Sequence, residues 1–204
     1  MLRLHPKSKR RRIVMPDKLI AEIENRRDAL IALTQDLVRI PTLNPPGDNY
    51  LEICEYLAKR LKKSGFQIEL VRAHGAPGDS DTYPRWNVVA RREGNRPGEC
   101  VHFNSHIDVV EVGRGWTTDP FGGALIDGKI YGRGTCDMKG GLAASIIAAE
   151  AFLAVTPEFA GAIEISGTAD EESGGFGGVA YLKLYFLTIL FFQKHNLLRQ
   201  QMGF

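Results

Sequence analysis

The 204-residue sequence has few cysteines, no long run of apolar residues and almost no excess of charge of either sign. Its three cysteines, Cys54, Cys100 and Cys136, are odd in number and far apart, which argues against a disulfide framework and fits a reducing compartment. No apolar run approaches the roughly 20 residues that a membrane helix needs. The 26 basic and 24 acidic residues nearly cancel, so no strong field favours nucleic acid. We therefore expect a cytoplasmic protein that binds neither a membrane nor nucleic acid.

Both ends of the chain differ in composition from its middle. Residues 1–15 contain six arginines and lysines, and no apolar stretch follows them as it would in a secretory signal. We predict a basic, disordered tail there, with Met15 as an alternative start and a nucleic-acid-binding arm as the less favoured interpretation. Residues 183–204 contain no acidic residue and four of the ten phenylalanines. Their run LYFLTILFF is too short to span a bilayer, so an out-of-frame end is favoured over a membrane anchor.

Residues 16–182 alternate between helix-like and strand-like patterns. Apolar residues at helical spacing predict helices over residues 16–40, 50–61 and 142–155. Short apolar or alternating runs predict strands near residues 66–70, 86–90, 101–104 and 162–168. Asp127-Gly128 between two short apolar segments is typical of a β-hairpin. This mixed order predicts an α/β fold with a mostly parallel sheet and helices on both of its faces.

Three polar clusters each end or follow a predicted strand. They read NSHID at residues 104–108, GRGTCDMKGG at 132–141 and TADEESGG at 168–175. Ligands collect beyond the carboxyl ends of strands in α/β sheets, so we expect these loops to converge. Imidazole and carboxylates suit zinc, and two ions that share a carboxylate can activate a water while another carboxylate accepts its proton. Each cluster alone is a weak signal, because His-x-Asp is often a capping pair and Glu-Glu a solvated face.

The segments SHIDVV, WTTDPFGGALIDGKIYGRGTCDMKGG and GTADEESGG resemble one family of hydrolases over about residues 17–182. This family is the acetylornithine deacetylase and succinyl-diaminopimelate desuccinylase branch of the aminoacylase/carboxypeptidase-type dinuclear metallopeptidases. The resemblance implies that His106 and Glu172 each bind one metal and that Asp137 bridges both. It also implies that Asp108 orients the imidazole and that Glu171 is the general base. Two zinc ions, for which cobalt can substitute, would be the cofactors.

The same resemblance implies a reaction, which is metal-dependent removal of the acyl group from an N-acyl amino acid during amino-acid biosynthesis. Enzymes of this family are usually homodimers that dimerise through a smaller lid domain. Their pattern also includes a further acidic ligand downstream of the Glu pair and a histidine near the end of a longer chain. Neither the lid nor these ligands are found in this sequence. We therefore interpret residues 16–182 as the N-terminal part of the catalytic domain, and we do not expect the chain alone to be a competent enzyme.

Several side chains near the motifs have competing interpretations. Cys136 stands beside the implied bridging residue, and cysteine is a good zinc ligand, but successive side chains point apart and the family uses the aspartate. His195 as a substitute ligand is disfavoured, because nothing around it matches the family pattern. For Arg133 and Lys139 we favour structural pairing with local carboxylates over a catalytic role.

Two other functions compete with a hydrolase. The chain could be a truncated, catalytically inactive relative with no enzymatic role of its own, as the missing ligands indicate. A remote alternative is a dinucleotide-binding protein, because residues 175–180 fit the pattern G-x-G-x-x-G/A. That fingerprint needs an acidic residue further along the chain, and none follows Glu172.

Overall fold

The computed structural model of the chain describes residues 17–187. The helices are α1 (Asp17–Asn25), α2 (Arg27–Arg39), α3 (Tyr50–Lys63), α4 (Gly140–Val155) and α5 (Phe176–Leu187). The strands are β1 (Gln67–Arg72), β2 (Trp86–Glu93), β3 (Arg96–His106), β4 (Ala124–Ile126), β5 (Lys129–Tyr131) and β6 (Ala160–Thr168). The predicted basic tail, and residues 188–204 of the predicted apolar tail, lie outside the described residues.

The main sheet has the strand order β1-β2-β6-β3. Of its neighbouring pairs, β1–β2 and β2–β6 are antiparallel and β3–β6 is parallel. The predicted α/β class is confirmed, and the described sheet is mixed where we expected it to be mostly parallel. The chain connections explain this difference. Parallel neighbours need a long crossover, and the segment with α4 supplies one between β3 and β6. Only Gly94 and Asn95 connect β2 to β3, so the chain reverses direction there, and β2 runs antiparallel to β3 and therefore to β6.

Helices cover both faces of this sheet, as predicted. On one face Leu57 of α3 and Ile146 of α4 belong to a core cluster with Val88 of β2. On the other face Leu182 of α5 packs with Val89, the next residue of β2. Successive side chains of a strand point to opposite faces, so this one strand contributes to both apolar layers.

Two local predictions had different outcomes. The predicted hairpin is present, with Ala124 paired to Tyr131 and positive φ angles at Asp127 (50°) and Gly128 (75°), as a two-residue turn of type I′ requires.

The predicted helix over residues 16–40 is instead two helices. Arg26 leaves the helical conformation between them, and its guanidinium lies 2.7 Å from Glu22 and 3.6 Å from Glu150.

One helical stretch, Thr135–Val155, is long and apolar enough by length and composition to cross a membrane. It contains α4, whose Leu142, Ile146 and Ala151 are buried in the protein. A buried core helix meets the same criteria, so this is weak evidence for a membrane span.

The two parallel neighbours bring two of the three motifs to the same edge of the sheet. β3 and β6 end side by side, with His106 opposite Thr168. The motif after β3 and the motif after β6 therefore leave the sheet together. The motif at residues 132–141 follows β5, which pairs with β4 in a separate two-stranded sheet, so it reaches this edge from outside the main sheet.

We predict that the core at α3 dominates stability. Leu57 is 1% exposed and Leu125 is 48% exposed. Leu57→Ala should lower the free energy of unfolding by about 2–5 kcal/mol because it leaves a cavity, whereas Leu125→Ala should change it by less than about 0.5 kcal/mol. Urea unfolding of residues 1–204, followed by circular dichroism, measures both. Equal losses for the two variants would contradict this packing.

Candidate metal centre

Three side chains of the predicted site meet at the carboxyl edge of the sheet. Ligand atoms of His106, Asp137 and Glu172 all lie within 4.8 Å of one another. His106 ends β3, Asp137 lies in the kinked turn before α4, and Glu172 lies in a short turn after β6. The imidazole is buried, with 5% of the side chain exposed, whereas the Asp137 side chain is 76% exposed. The nitrogen donor of the cluster is therefore buried, and the Asp137 carboxylate faces solvent.

The two ring nitrogens of His106 have different surroundings. Nδ1 lies 3.1 Å from the carbonyl oxygen of Asp108 and 3.5 Å from its carboxylate. Nε2 lies 2.9 Å from Oδ1 of Asp137 and 3.8 Å from Oε2 of Glu171. Burial lowers the pKa of His106, but the carboxylates of Asp108 and Asp137 outweigh burial and raise this pKa to about 9. The carboxylates around this ring therefore favour a cation beside Nε2, which can be a proton or a metal ion.

Asp108 connects the first motif to the third. Its carboxylate is fully buried and accepts hydrogen bonds from Nδ2 of Asn44 (2.9 Å) and from the backbone N–H groups of Glu171 (3.2 Å) and Glu172 (3.1 Å). Burial alone would raise the pKa of Asp108, but these donors and His106 lower it. Asp108 therefore stays ionised, and it holds the turn that carries both glutamates.

The centre contains more negative than positive charge. Burial raises the pKa of Glu172, and repulsion from Asp137, Asp108 and Glu171 raises it further, against the attraction of His106. Four carboxylates thus surround one imidazole. A divalent cation would neutralise part of this charge, and an imidazole nitrogen with carboxylate oxygens is a donor set that zinc accepts. The residues fit a metal ion, and their individual roles as ligands stay predictions.

The two basic residues of the second motif have structural roles, but their partners differ from those we predicted. Lys139 is fully buried and donates to the carbonyl oxygen of Ile40 at 2.7 Å, and burial lowers its pKa to about 7 against the attraction of Asp108. Arg133 donates to the carbonyl oxygen of Glu111 at 2.9 Å and stacks over Trp116. We expected local carboxylates as partners, but both side chains donate to backbone carbonyl oxygens of distant segments. They therefore connect segments of the chain and do not pair with acidic side chains in these hydrogen bonds.

Cys136 is exposed and lies outside the cluster of three ligand atoms, as far as the described residues show. It lines a cavity of about 320 Å³ with Asp137 and Glu172. A second cavity of about 180 Å³ is lined by His106 and Glu171. Both cavities therefore border the candidate centre. His195 lies outside the described residues.

Sequence reasoning missed Asp170, which precedes the two glutamates. Its carboxylate is buried and contacts Nε of Arg85 at 3.0 Å and the hydroxyl of Tyr50 at 3.1 Å. Burial raises the pKa of Asp170 against the attraction of Arg85, and burial also raises the pKa of Tyr50. The acidic residue was visible in the motif, but its partners are distant in sequence.

The glycine-rich run at residues 175–180 packs tightly on this acidic turn. A Cβ at Gly177 would overlap Oδ2 of Asp170 and press on the side chain of Arg85. Close packing of the turn thus accounts for this glycine without any dinucleotide.

Comparisons with known proteins agree with this geometry. Residues 102–197 match the model of Peptidase family M20/M25/M40. A protein of Methylobacterium radiotolerans named succinyl-diaminopimelate desuccinylase is 41% identical over 157 residues, which are 76% of this chain and 38% of that protein. The chain thus spans less than half the length of the curated relatives that it matches.

Solved structures show the same fold. Human carnosine dipeptidase 1 superposes with a TM-score of 0.66 at 26% identity, over 78% of this chain and 35% of that one. A di-peptidase of Saccharomyces cerevisiae gives the same TM-score at 23% identity, again over 78% of this chain and 35% of the other, and supports the fold alone.

We predict that Asp108 controls metal affinity indirectly, through its contacts with His106 and with the turn that carries Glu172. Asp108→Asn should weaken zinc binding by about 10–100-fold, because it removes the charge that orients His106 and one of the two oxygen acceptors that hold the Glu171–Glu172 turn. Cys136→Ser, which changes an exposed neighbour of Asp137, is the matched control and should leave affinity unchanged. Competition between residues 1–204 and a fluorescent zinc chelator measures both. A loss of affinity in Cys136→Ser would instead make this thiol a ligand.

Proposed function

We propose that this chain, which matches the M20/M25/M40 peptidase family over residues 102–197 and has the M20 peptidase-like α/β fold, forms part of a metal-dependent amidohydrolase acting on an N-acyl amino acid. One observation carries the proposal. The side chains of His106, Asp137 and Glu172 converge, and the Glu171 carboxylate lies beside them, 3.8 Å from Nε2 of His106. The relative named succinyl-diaminopimelate desuccinylase supports an N-succinyl amino acid as substrate.

His106, Asp137 and Glu172 would hold the metal, with Asp137 shared between two ions. Its exposed carboxylate, next to both other donors, suits a bridging role. When bound, the metal would polarise the scissile carbonyl and lower the pKa of a water molecule to roughly 7. We propose zinc, for which cobalt can substitute, because the donors are one imidazole and carboxylates.

Glu171 is proposed as the general base. Its backbone is fixed by the N–H bond to Asp108, while its side chain is 61% exposed and reaches the cluster. Its carboxylate would accept the proton of the attacking water and later transfer it to the leaving amine. Glu172, whose N–H group is held by the same aspartate, directs its own carboxylate to the ligand cluster. Adjacent glutamates can thus divide the two roles.

Location in the cytoplasm and a role in amino-acid biosynthesis belong to the same proposal. The cysteines of the chain are free, with Cys54 buried and Cys100 and Cys136 exposed, which suits a reducing compartment. The name of the desuccinylase relative supports an amino-acid precursor as the substrate.

A second candidate is that these 204 residues have no enzymatic role on their own. The chain spans 38% of its relative from Methylobacterium radiotolerans, and no acidic residue follows Glu172 in its sequence. Catalytic zinc usually has three protein ligands and an open position for water. If each ion lacked one of its three ligands, both metal affinity and turnover would be low.

We predict different effects for the two carboxylates of the centre. In a full-length relative or a repaired form of the chain that hydrolyses the substrate, Glu171→Gln should leave zinc binding nearly intact and lower hydrolysis by a factor on the order of 100 or more, which is the usual effect of losing a general base. Asp137→Ala should remove the metal instead. Zinc content and the rate of N-succinyl-diaminopimelate hydrolysis measure these effects. If Glu171→Gln lost the metal and kept its activity, the two glutamates would have to exchange roles.

We expect residues 1–204 alone to bind metal weakly and to hydrolyse N-succinyl-diaminopimelate and N-acetylornithine slowly or not at all, even with added zinc or cobalt. Amine release and metal content measure this directly. Any turnover should disappear with a chelator, and turnover that resists chelation would contradict a metal-dependent hydrolase. Two tightly bound ions with rapid turnover would contradict the second candidate.

A further inference from the structure

A buried ion pair holds the turn that carries Glu171 and Glu172, and we propose that Arg85 is a positioning residue for these two glutamates. Arg85 touches neither the ligand cluster nor the cavities beside it. It acts through Asp170, the residue before the pair. The functional consequence rests on the proposed hydrolase, whereas the placement of the turn can be tested without it.

Asp170 is held in place by hydrogen bonds to both its side chain and its backbone carbonyl. It is 2% exposed and has a φ of 63°, in the left-handed region. Its carboxylate receives hydrogen bonds from Nε of Arg85 (3.1 Å) and from the hydroxyl of Tyr50 (3.1 Å). Its carbonyl oxygen accepts the N–H groups of Ser173 (3.1 Å) and Gly175 (2.6 Å). Both ends of this residue are therefore held while the chain turns through the two glutamates.

Arg85 is itself held rigidly. It is 4% exposed, and Nη1 donates to the carbonyl oxygens of Pro46 at 2.7 Å and Tyr83 at 3.0 Å. Its guanidinium lies over the ring of Tyr50, 5.5 Å from the centroid. Gly47 has a φ of 105°, and a Cβ there would overlap Nη1. The chain thus leaves room for a guanidinium that reaches two carbonyls and a carboxylate at once, which the single amine of lysine cannot do.

The glutamates therefore have an anchor on each side. Asp108 holds their N–H groups, and the Arg85–Asp170 pair holds the residue that leads into them. Without Arg85, a buried carboxylate would lose its charge partner and its side chain would have to move toward water. This movement shifts the backbone next to Glu171, and a shift of about 1 Å in a catalytic group can cost about 100-fold in rate.

Loss of a buried ion pair also lowers stability, so a matched control is needed. Arg60 lies 2.8 Å from Glu150, whose side chain is 8% exposed, and this pair joins α3 to α4. Arg60→Met should therefore destabilise the fold without affecting the turn. The double variant Arg85→Met/Asp170→Asn removes both charges of the other pair, and asparagine tolerates the left-handed conformation. Because neither charge is then left buried without its partner, the double variant should recover stability relative to Arg85→Met.

The test is hydrogen exchange of residues 1–204, read on peptides that cover residues 168–176, together with the melting temperature. Arg85→Met should speed exchange at Glu171 and Glu172 on the order of tenfold more than Arg60→Met does at a comparable loss of melting temperature. Arg85→Lys should have the same effect to a smaller degree, and it replaces Arg85→Met if that variant fails to fold. The double variant should regain its melting temperature but not its protection at the turn.

Cobalt affinity, measured from the visible absorption of bound Co²⁺, is the second readout. It should fall by about 10–100-fold in Arg85→Met and in the double variant, and stay unchanged in Arg60→Met. Equal exchange in Arg85→Met and Arg60→Met, or full recovery of protection in the double variant, would overturn the proposal. If the unaltered chain binds no Co²⁺, the proposed metal centre fails, and hydrogen exchange alone still decides the role of Arg85.

Discussion

The candidate centre depends above all on the buried carboxylate of Asp108. Transfer of a charge into the interior is costly unless donors surround it, and here an imidazole, a side-chain amide and two backbone N–H groups do so. These donors come from different parts of the chain: the loop after α2, the end of β3 and the turn after β6. The need to satisfy one carboxylate therefore holds these segments together.

A second buried polar group fastens the remaining part of the centre. Lys139 follows Asp137 by two positions, and its Nζ donates to the carbonyl oxygen of Ile40 at the end of α2. The turn that carries Asp137 comes from a hairpin outside the main sheet, so sheet hydrogen bonds cannot place it. The buried lysine provides that connection through its hydrogen bond to α2.

These anchors have an electrostatic consequence. They hold Asp137, Glu171 and Glu172 close to one another and to Asp108, although like charges repel; burial first and this repulsion second raise the pKa of Glu172. His106 alone compensates for only part of this repulsion. A centre that is held in such an arrangement by remote anchors is suited to a cation, and this supports the proposed metal-dependent chemistry.

The sequence by itself predicted the α/β class and the hairpin at Asp127-Gly128, because periodicity and turn chemistry are local properties. It also predicted that the three motifs converge, because ligands collect beyond the carboxyl ends of strands. The mostly parallel sheet that we predicted is mixed in the structure, since β2, β6 and β3 are neighbours through pairing across long stretches of chain. Only the tertiary structure showed that Asp108 binds the amides of both glutamates and that Arg85 lies against Asp170, 85 positions away. It also assigned Lys139 to a carbonyl where a carboxylate partner was expected. The physical reason is the same in each case: a buried polar group is satisfied by whichever donor or acceptor the fold brings beside it, and proximity in space is not written in sequence spacing.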